Sequence, residues 1–216
     1  MAFLMSALPA TGSRLDSTPN SYFGLLDLHR HEALMVELDR AVTALDYDRA
    51  RCNLSRFNPD LTREAASARV SESVLRVYQA EEPGRAVAGV DVNIMHFSTM
   101  IFSELARQMA RALEEEIRPT SPARFYQSGR FWYPDAGYMG WHHNGNQPGF
   151  RIYCNHAREH ERSFFRYLDP ATDEVVTHWD QQGWNFRIFR TDAAPLWHCV
   201  YSETDRLSLG FKLAFK

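Results

Sequence analysis

Lysine is almost missing from this chain of 216 residues: Lys212 and Lys216 stand against 22 arginines. The net charge is −3 at pH 7, which gives no electrostatic argument for nucleic-acid binding, since that calls for a basic stripe. Cysteine is scarce as well. Cys52, Cys154 and Cys199 are odd in number and widely spaced, a pattern that fits neither a disulfide framework nor a zinc cluster and suits a reducing compartment. No stretch approaches the ~18 apolar residues of a membrane span. The opening MAFLMSALPATGS lacks the basic segment of a signal peptide. The expectation is a cytoplasmic protein without nucleic-acid or membrane partners. What is present is ordinary globular usage, 44% hydrophobic and 24% charged, in a chain long enough for one sizeable core.

The two halves differ in style. Residues 1–22 are rich in Ser, Thr, Pro and Gly and read as a loose arm, and 23–216 as one domain. Its first part, 23–120, reads as helical. Leu26, Leu34, Val36, Ala41 and Leu45 have helical spacing over 23–46. Asp60 and Thr62 offer caps for a second helix over 60–80, carrying Val70, Val74, Leu75 and Tyr78. Ile101, Leu105, Met109 and Leu113 recur every four residues over 97–117, and Pro119 and Pro122 end that pattern. The second part, 121–216, carries about seven short aromatic or β-branched runs. They are ARFYQSGRFWY, FRIYCNH, SFFRYL, EVVTHW, WNFRIF, PLWHCVYS and RLSLGFKLAF, separated by turn residues such as PDAG and DQQG. The fold class is α+β, a β sandwich or barrel with helices packed on it.

Tryptophan and histidine crowd this second part. All five Trp lie between Trp132 and Trp197, and six of the nine His lie between His142 and His198. Two pieces carry chemistry: Gly140-Trp141-His142-His143-Asn144-Gly145, and Leu196-Trp197-His198-Cys199-Val200 followed by Arg206-Leu207-Ser208. Alternate residues of a strand share a face, so His142 and Asn144 point the same way. A His pair of this kind joined by a distant His can bind one metal ion and leave positions open. Arg206, eight residues after His198, suits a carboxylate held by two parallel hydrogen bonds.

On these residues the chain resembles the Fe(II)/2-oxoglutarate-dependent oxygenases, in particular the branch similar to prolyl 4-hydroxylases. The resemblance covers about 125–215. It rests on Trp141-His142-His143-Asn144, on Arg151-Ile152-Tyr153-Cys154-Asn155, on Ser163-Phe164-Phe165-Arg166-Tyr167, and on His198-Cys199-Val200 with Arg206-Leu207-Ser208-Leu209. It implies a double-stranded β-helix, or jelly roll, with N-terminal supporting helices. It also implies Fe(II) held by His142 and His198, and 2-oxoglutarate held by Arg206 with Tyr153 and Ser208. O₂ would be a substrate beside a small molecule or peptide whose unactivated C–H bond is hydroxylated. Trp132, Trp141, Arg151 and Trp197 are candidates for the substrate pocket.

One departure from the family pattern matters. Two residues after the first His the family has Asp or Glu, and here stands Asn144. Four completions remain open: the Asn144 amide, a water or chloride, the carboxylate of Asp135, or a registration shifted by one that uses His143 with Gly145. The corresponding functions are a hydroxylase, a halogenase, or an inactive binding module that keeps only the cavity.

Overall fold

β-branched and aromatic side chains pack well on a pleated surface, so the runs of the second half favour strands. The computed structural model describes residues 22–45, 47–81, 89–97, 103–117, 123–145, 149–191 and 195–215. Apart from Tyr22, the arm expected over 1–22 lies outside them.

All seven expected runs form strands: β5 (Ala123–Tyr133), β7 (Phe150–Ala157), β8 (Ser163–Leu168), β9 (Val175–Trp179), β10 (Gly183–Arg190), β11 (His198–Ser202) and β12 (Arg206–Phe215). The expectation omitted five more: β1 (Phe23–Leu25), β2 (Cys52–Asn53), β3 (Val92–Asn93), β4 (Met95–Phe97) and β6 (Gly137–His142). The helices are α1 (Glu32–Leu45), α2 (Arg63–Ala68), α3 (Glu72–Glu81) and α4 (Ser103–Ile117). Thus 23–46 is a strand followed by a helix rather than one helix. The stretch 60–80 is two helices; α2 is capped by Thr62, whose hydroxyl accepts from the Ala65 N–H.

The strands form two antiparallel sheets, ordered β1-β10-β7-β12-β5-β4-β2 and β3-β6-β11-β8-β9. They face one another as a double-stranded β-helix. Three apolar layers follow from strand alternation. Outside the larger sheet, Leu34, Leu38 and Ala41 of α1 and Leu105, Met109 and Leu113 of α4 cover Ile152, Cys154, Leu207, Leu209 and Phe211. Outside the smaller sheet, Ala66 of α2 and Leu75 of α3 cluster with Trp141, Trp197, Cys199 and Tyr201. Between the sheets lie Tyr133, Met139, Phe165, Phe189 and Val200. Each fully buried side chain of this size contributes about 1.5–3 kcal/mol.

The layer between the sheets is only partly apolar. The inward positions of β12 are Arg206, Ser208, Gly210 and Lys212, and those of β7 are Arg151, Tyr153 and Asn155; β12 pairs β7 along its length without a shift. This polar stripe inside the roll positions the site.

Candidate functional site

β6 ends at His142 and β11 begins at His198, and the two strands are neighbours with His198 opposite His142. Their rings lie 4.2 Å apart between centroids, and both residues are buried. Each Nδ1 lies 2.8 Å from a backbone carbonyl two residues earlier, Gly140 O for His142 and Leu196 O for His198. A carbonyl only accepts, so both Nδ1 atoms carry the proton, the tautomer in which a neutral imidazole ligates through Nε2. Oriented imidazoles of this kind are what a metal site uses. Burial first, and then the neighbouring His142, holds His198 well below the usual imidazole range. It is therefore neutral, the form that ligates.

The Asn144 side chain completes the convergence. Its amide lies 3.4 Å from His198 Nε2, and it hydrogen-bonds the Tyr153 hydroxyl. Amide N and O exchange by rotation, so the same pose can present the oxygen. His142, His198, Asn144 and Tyr153 line one cavity of about 150 Å³, together with Tyr133, Met139, Arg151, Val200 and Ser208. Among the described residues, no group of three or more His, Cys, Asp or Glu side chains is placed to hold a metal ion. Two imidazoles and an amide are the donor set present.

The deep end of the roll is charged. Asp180, fully buried, accepts from Arg187 Nη1 at 2.6 Å, Arg206 Nε at 2.7 Å and Ser163 Oγ at 2.6 Å. Burial alone would raise the Asp180 carboxyl; the guanidiniums of Arg206 and Arg187 outweigh it and hold the group well below the usual carboxylate range. Two buried cations face one buried anion, so this end carries a net charge of +1. Arg206 lies against Tyr133 of the cavity wall, its guanidinium carbon 5.2 Å from the ring centroid. Both its Nη atoms are buried without a hydrogen-bond partner among the described residues, as are Arg187 Nε and both amide atoms of Asn155. Buried polar atoms are rarely left so. Arg206 itself does not line the cavity; a carboxylate that passed the Tyr133 wall would satisfy its Nη atoms.

Several expected residues lie elsewhere. Adjacent strand residues face opposite ways, and Trp141 and Trp197, beside inward His142 and His198, turn into the layer under α2 and α3. Trp141 Nε1 donates to Ser71 O at 2.8 Å. Trp132 lies in the layer under α1 and α4 and donates to Asp205 Oδ1 at 2.8 Å. None of the three lines the cavity. His143 also turns outward, edge-on to Trp197 at 5.1 Å, with its Nδ1 accepting from Gly145 N. The registration through His143 and Gly145 therefore leaves the convergence unused. Asp135 sits in the turn before β6, the opposite end of the strand from His142, and pairs with Arg63 at 2.6 and 2.9 Å. It does not reach the histidines. Asp180 and Arg187 were not expected at all, and Asn155 only as the end of the Arg151-Ile152-Tyr153-Cys154-Asn155 run. Arg187 carried a signal, a charge alternating with Asn185 and Phe189 in an aromatic strand.

No family model matches the sequence, and no curated protein matches it. Solved structures do. A prolyl-4-hydroxylase of Pseudomonas putida aligns over 72% of this chain and 89% of its own, at 15% identity and a TM-score of 0.42. An oxidoreductase of the 2OG-Fe(II) oxygenase family from Burkholderia pseudomallei aligns over 66% and 78%, at 14% identity and 0.41. A Trichoplax adhaerens prolyl hydroxylase, solved with a peptide of the hypoxia inducible factor, aligns over 88% and 94% at 12% identity and 0.41. Likeness of this degree does not extend to substrate or reaction. No described helix is long and apolar enough to cross a membrane.

Proposed function

We propose that residues 23–216 form a non-haem Fe(II)- and 2-oxoglutarate-dependent oxygenase that hydroxylates an unactivated C–H bond of a small molecule or amino-acid-type substrate. His142 and His198 would hold the iron through Nε2, and the Asn144 amide oxygen would take the place of the family carboxylate. Iron with 2-oxoglutarate supplies the activation of O₂. The rest is work of this chain. Arg206 would hold the distal carboxylate of 2-oxoglutarate through its two Nη atoms, and Ser208, two residues along the same face, would add a hydroxyl donor. Asp180 fixes the Arg206 guanidinium through Nε and keeps Arg187 beside it. Tyr153 holds the Asn144 amide in place. Met139, Phe131 and Val200 keep the cavity dry, which strengthens every polar contact inside it.

The observation that carries this reading is one cavity with two Nε2 lone pairs at one end and the unpartnered Nη atoms of Arg206 behind its Tyr133 wall. A halogenase needs a vacant position beside iron. The Asn144 amide stands in that position, which favours hydroxylation. The test is anaerobic titration of Fe(II) and then 2-oxoglutarate, followed by the visible charge-transfer band of the chelate. The band is expected in the native protein and lost in His198→Ala. Arg206→Met should weaken 2-oxoglutarate at least tenfold, since hydrogen bonds to charged groups contribute about 1.5–3 kcal/mol each. A protein that forms no band, or one indifferent to both substitutions, refutes the reading.

A further inference from the structure

One of the chain's two lysines lies inside the roll. Lys212 is only 8% exposed and Arg151 only 3%, and they stand directly opposite each other on β12 and β7. Both share the inward face with Arg206, Ser208 and Tyr153, because the residues between them (Ile152, Leu207, Leu209, Phe211 and Leu213) belong to the helix-covered layer. Lysine is almost never this buried unless it is paired. Like charges directly opposite across a ladder repel, with Cβ atoms only about 4.5–5.5 Å apart. An anion bridging the two turns that repulsion into attraction.

Space for such an anion adjoins Arg151, while Lys212 is not among the residues that line it. Arg151 lines the cavity, and beside it the floor is made of Gly129 and Gly210, which face each other across β5 and β12. A Cβ on Gly210 would sit 3.3 Å from Gly129 N and from Ser128 Oγ, so the missing side chains keep this end open. Tyr126, 44% exposed, brings its ring to 5.8 Å from Lys212 Nζ and marks the way out to solvent. Arg206 lies six residues from Lys212 along β12, roughly 20 Å at the strand rise. The roll therefore has cationic groups toward both ends, with the two histidines in the wall between them.

We propose that Arg151 and Lys212 form a second anion site, which holds the carboxylate of an acidic substrate while its remainder extends toward His142 and His198. Assigning that anion to the substrate rests on the reading of Arg206 as the co-substrate's partner. The test uses intact protein with Fe(II) and 2-oxoglutarate under anaerobic conditions. The probes are N-acetylglycine and its neutral amide, with binding followed by ligand-observed NMR. The acid should bind at least tenfold more tightly than the amide. Arg151→Gln and the volume-conserving Lys212→Met should each erase most of that preference, while 2-oxoglutarate affinity stays within about twofold of native. Equal binding of acid and amide by the native protein, or no binding of either, overturns the proposal without relying on any variant. So does a loss of 2-oxoglutarate binding in Arg151→Gln as large as that in Arg206→Met, which would make the anion the co-substrate's own. An acid preference that persists in protein unable to bind 2-oxoglutarate would sink the oxygenase reading and leave the anion site standing.

Discussion

Replacing Asp180 with Asn removes the negative charge that holds two buried guanidiniums together. Asp180, Arg187 and Arg206 expose 0%, 2% and 0% of their surface, so water does little to compensate. Breaking a buried pair by neutralising one partner costs about 3–5 kcal/mol, because the remaining charge stays buried. Here two cations are left facing each other, and the upper part of that range applies. For a chain of this size 1 kcal/mol moves the melting temperature by about 2–4 °C, so a fall of roughly 8–20 °C is expected. Thermal and urea unfolding at pH 7 measure it, with an unchanged urea slope showing that the native fold persists. Asp180→Asn combined with Arg187→Met should recover part of the loss, since residues in one network do not add. The pH dependence gives a second handle. The folded carboxyl titrates below its unfolded value of about 3.9, so the stability it contributes is whole above about pH 4 and is lost as pH falls toward the folded value. The native protein should lose that increment on acidification and Asp180→Asn should not. A variant within about 1 kcal/mol of native, with the same acid profile, would refute the claim that these charges are coupled and buried.

Three further outcomes follow from the same geometry. Trp141→Phe strips Ser71 O of its donor and should cost about 1–3 kcal/mol of stability while leaving 2-oxoglutarate affinity unchanged; a variant that loses affinity at native stability would return Trp141 to the pocket. Asn144→Asp places a carboxylate beside both histidines and should raise iron retention on dialysis, on the order of tenfold, by elemental analysis; no gain would mean that position 144 does not face the ion. Gly210→Val puts branched carbon against Gly129 N and Ser128 Oγ and should destabilise by about 1–3 kcal/mol. It should also cut binding of acidic probes by more than tenfold in calorimetry, and an unimpaired variant would show that the cavity floor is elsewhere.

The parts of the fold legible in the sequence were those with a strong period. β8 and β12 match their expected runs residue for residue, because turn residues bracket them and aromatic or aliphatic side chains fill them. β6 escaped because it is buried on both faces throughout. Such a strand shows no alternation, and Gly137 and Gly140 make it resemble a turn. β1, β3 and β4 are two or three residues long, too short to show any period. β1 and β3 are edges of sheets built elsewhere and β4 lies one strand in from an edge, so their pairing partners define them.

The site divides along the same line. His142, Asn144 and His198 were legible because spacing and parity are local properties. Parity also forbade part of what was expected: a tryptophan next to an inward histidine in the same strand must face out, as Trp141 and Trp197 do. The deep charged end was illegible for a different reason. Asp180 meets Ser163, Arg187 and Arg206 from 17, 7 and 26 residues away, brought together by sheet order and register. In the sequence it stands at the head of a DQQG turn, where an aspartate is ordinary. What distinguishes it is that a charge buried with partners tolerates folding and a charge buried alone does not. Asp180 neutralises only one of its two arginines, so the protein folds with a positive charge enclosed behind its own cavity. An enclosed charge of that kind is costly for a purely structural core and useful to a site whose ligand is an anion.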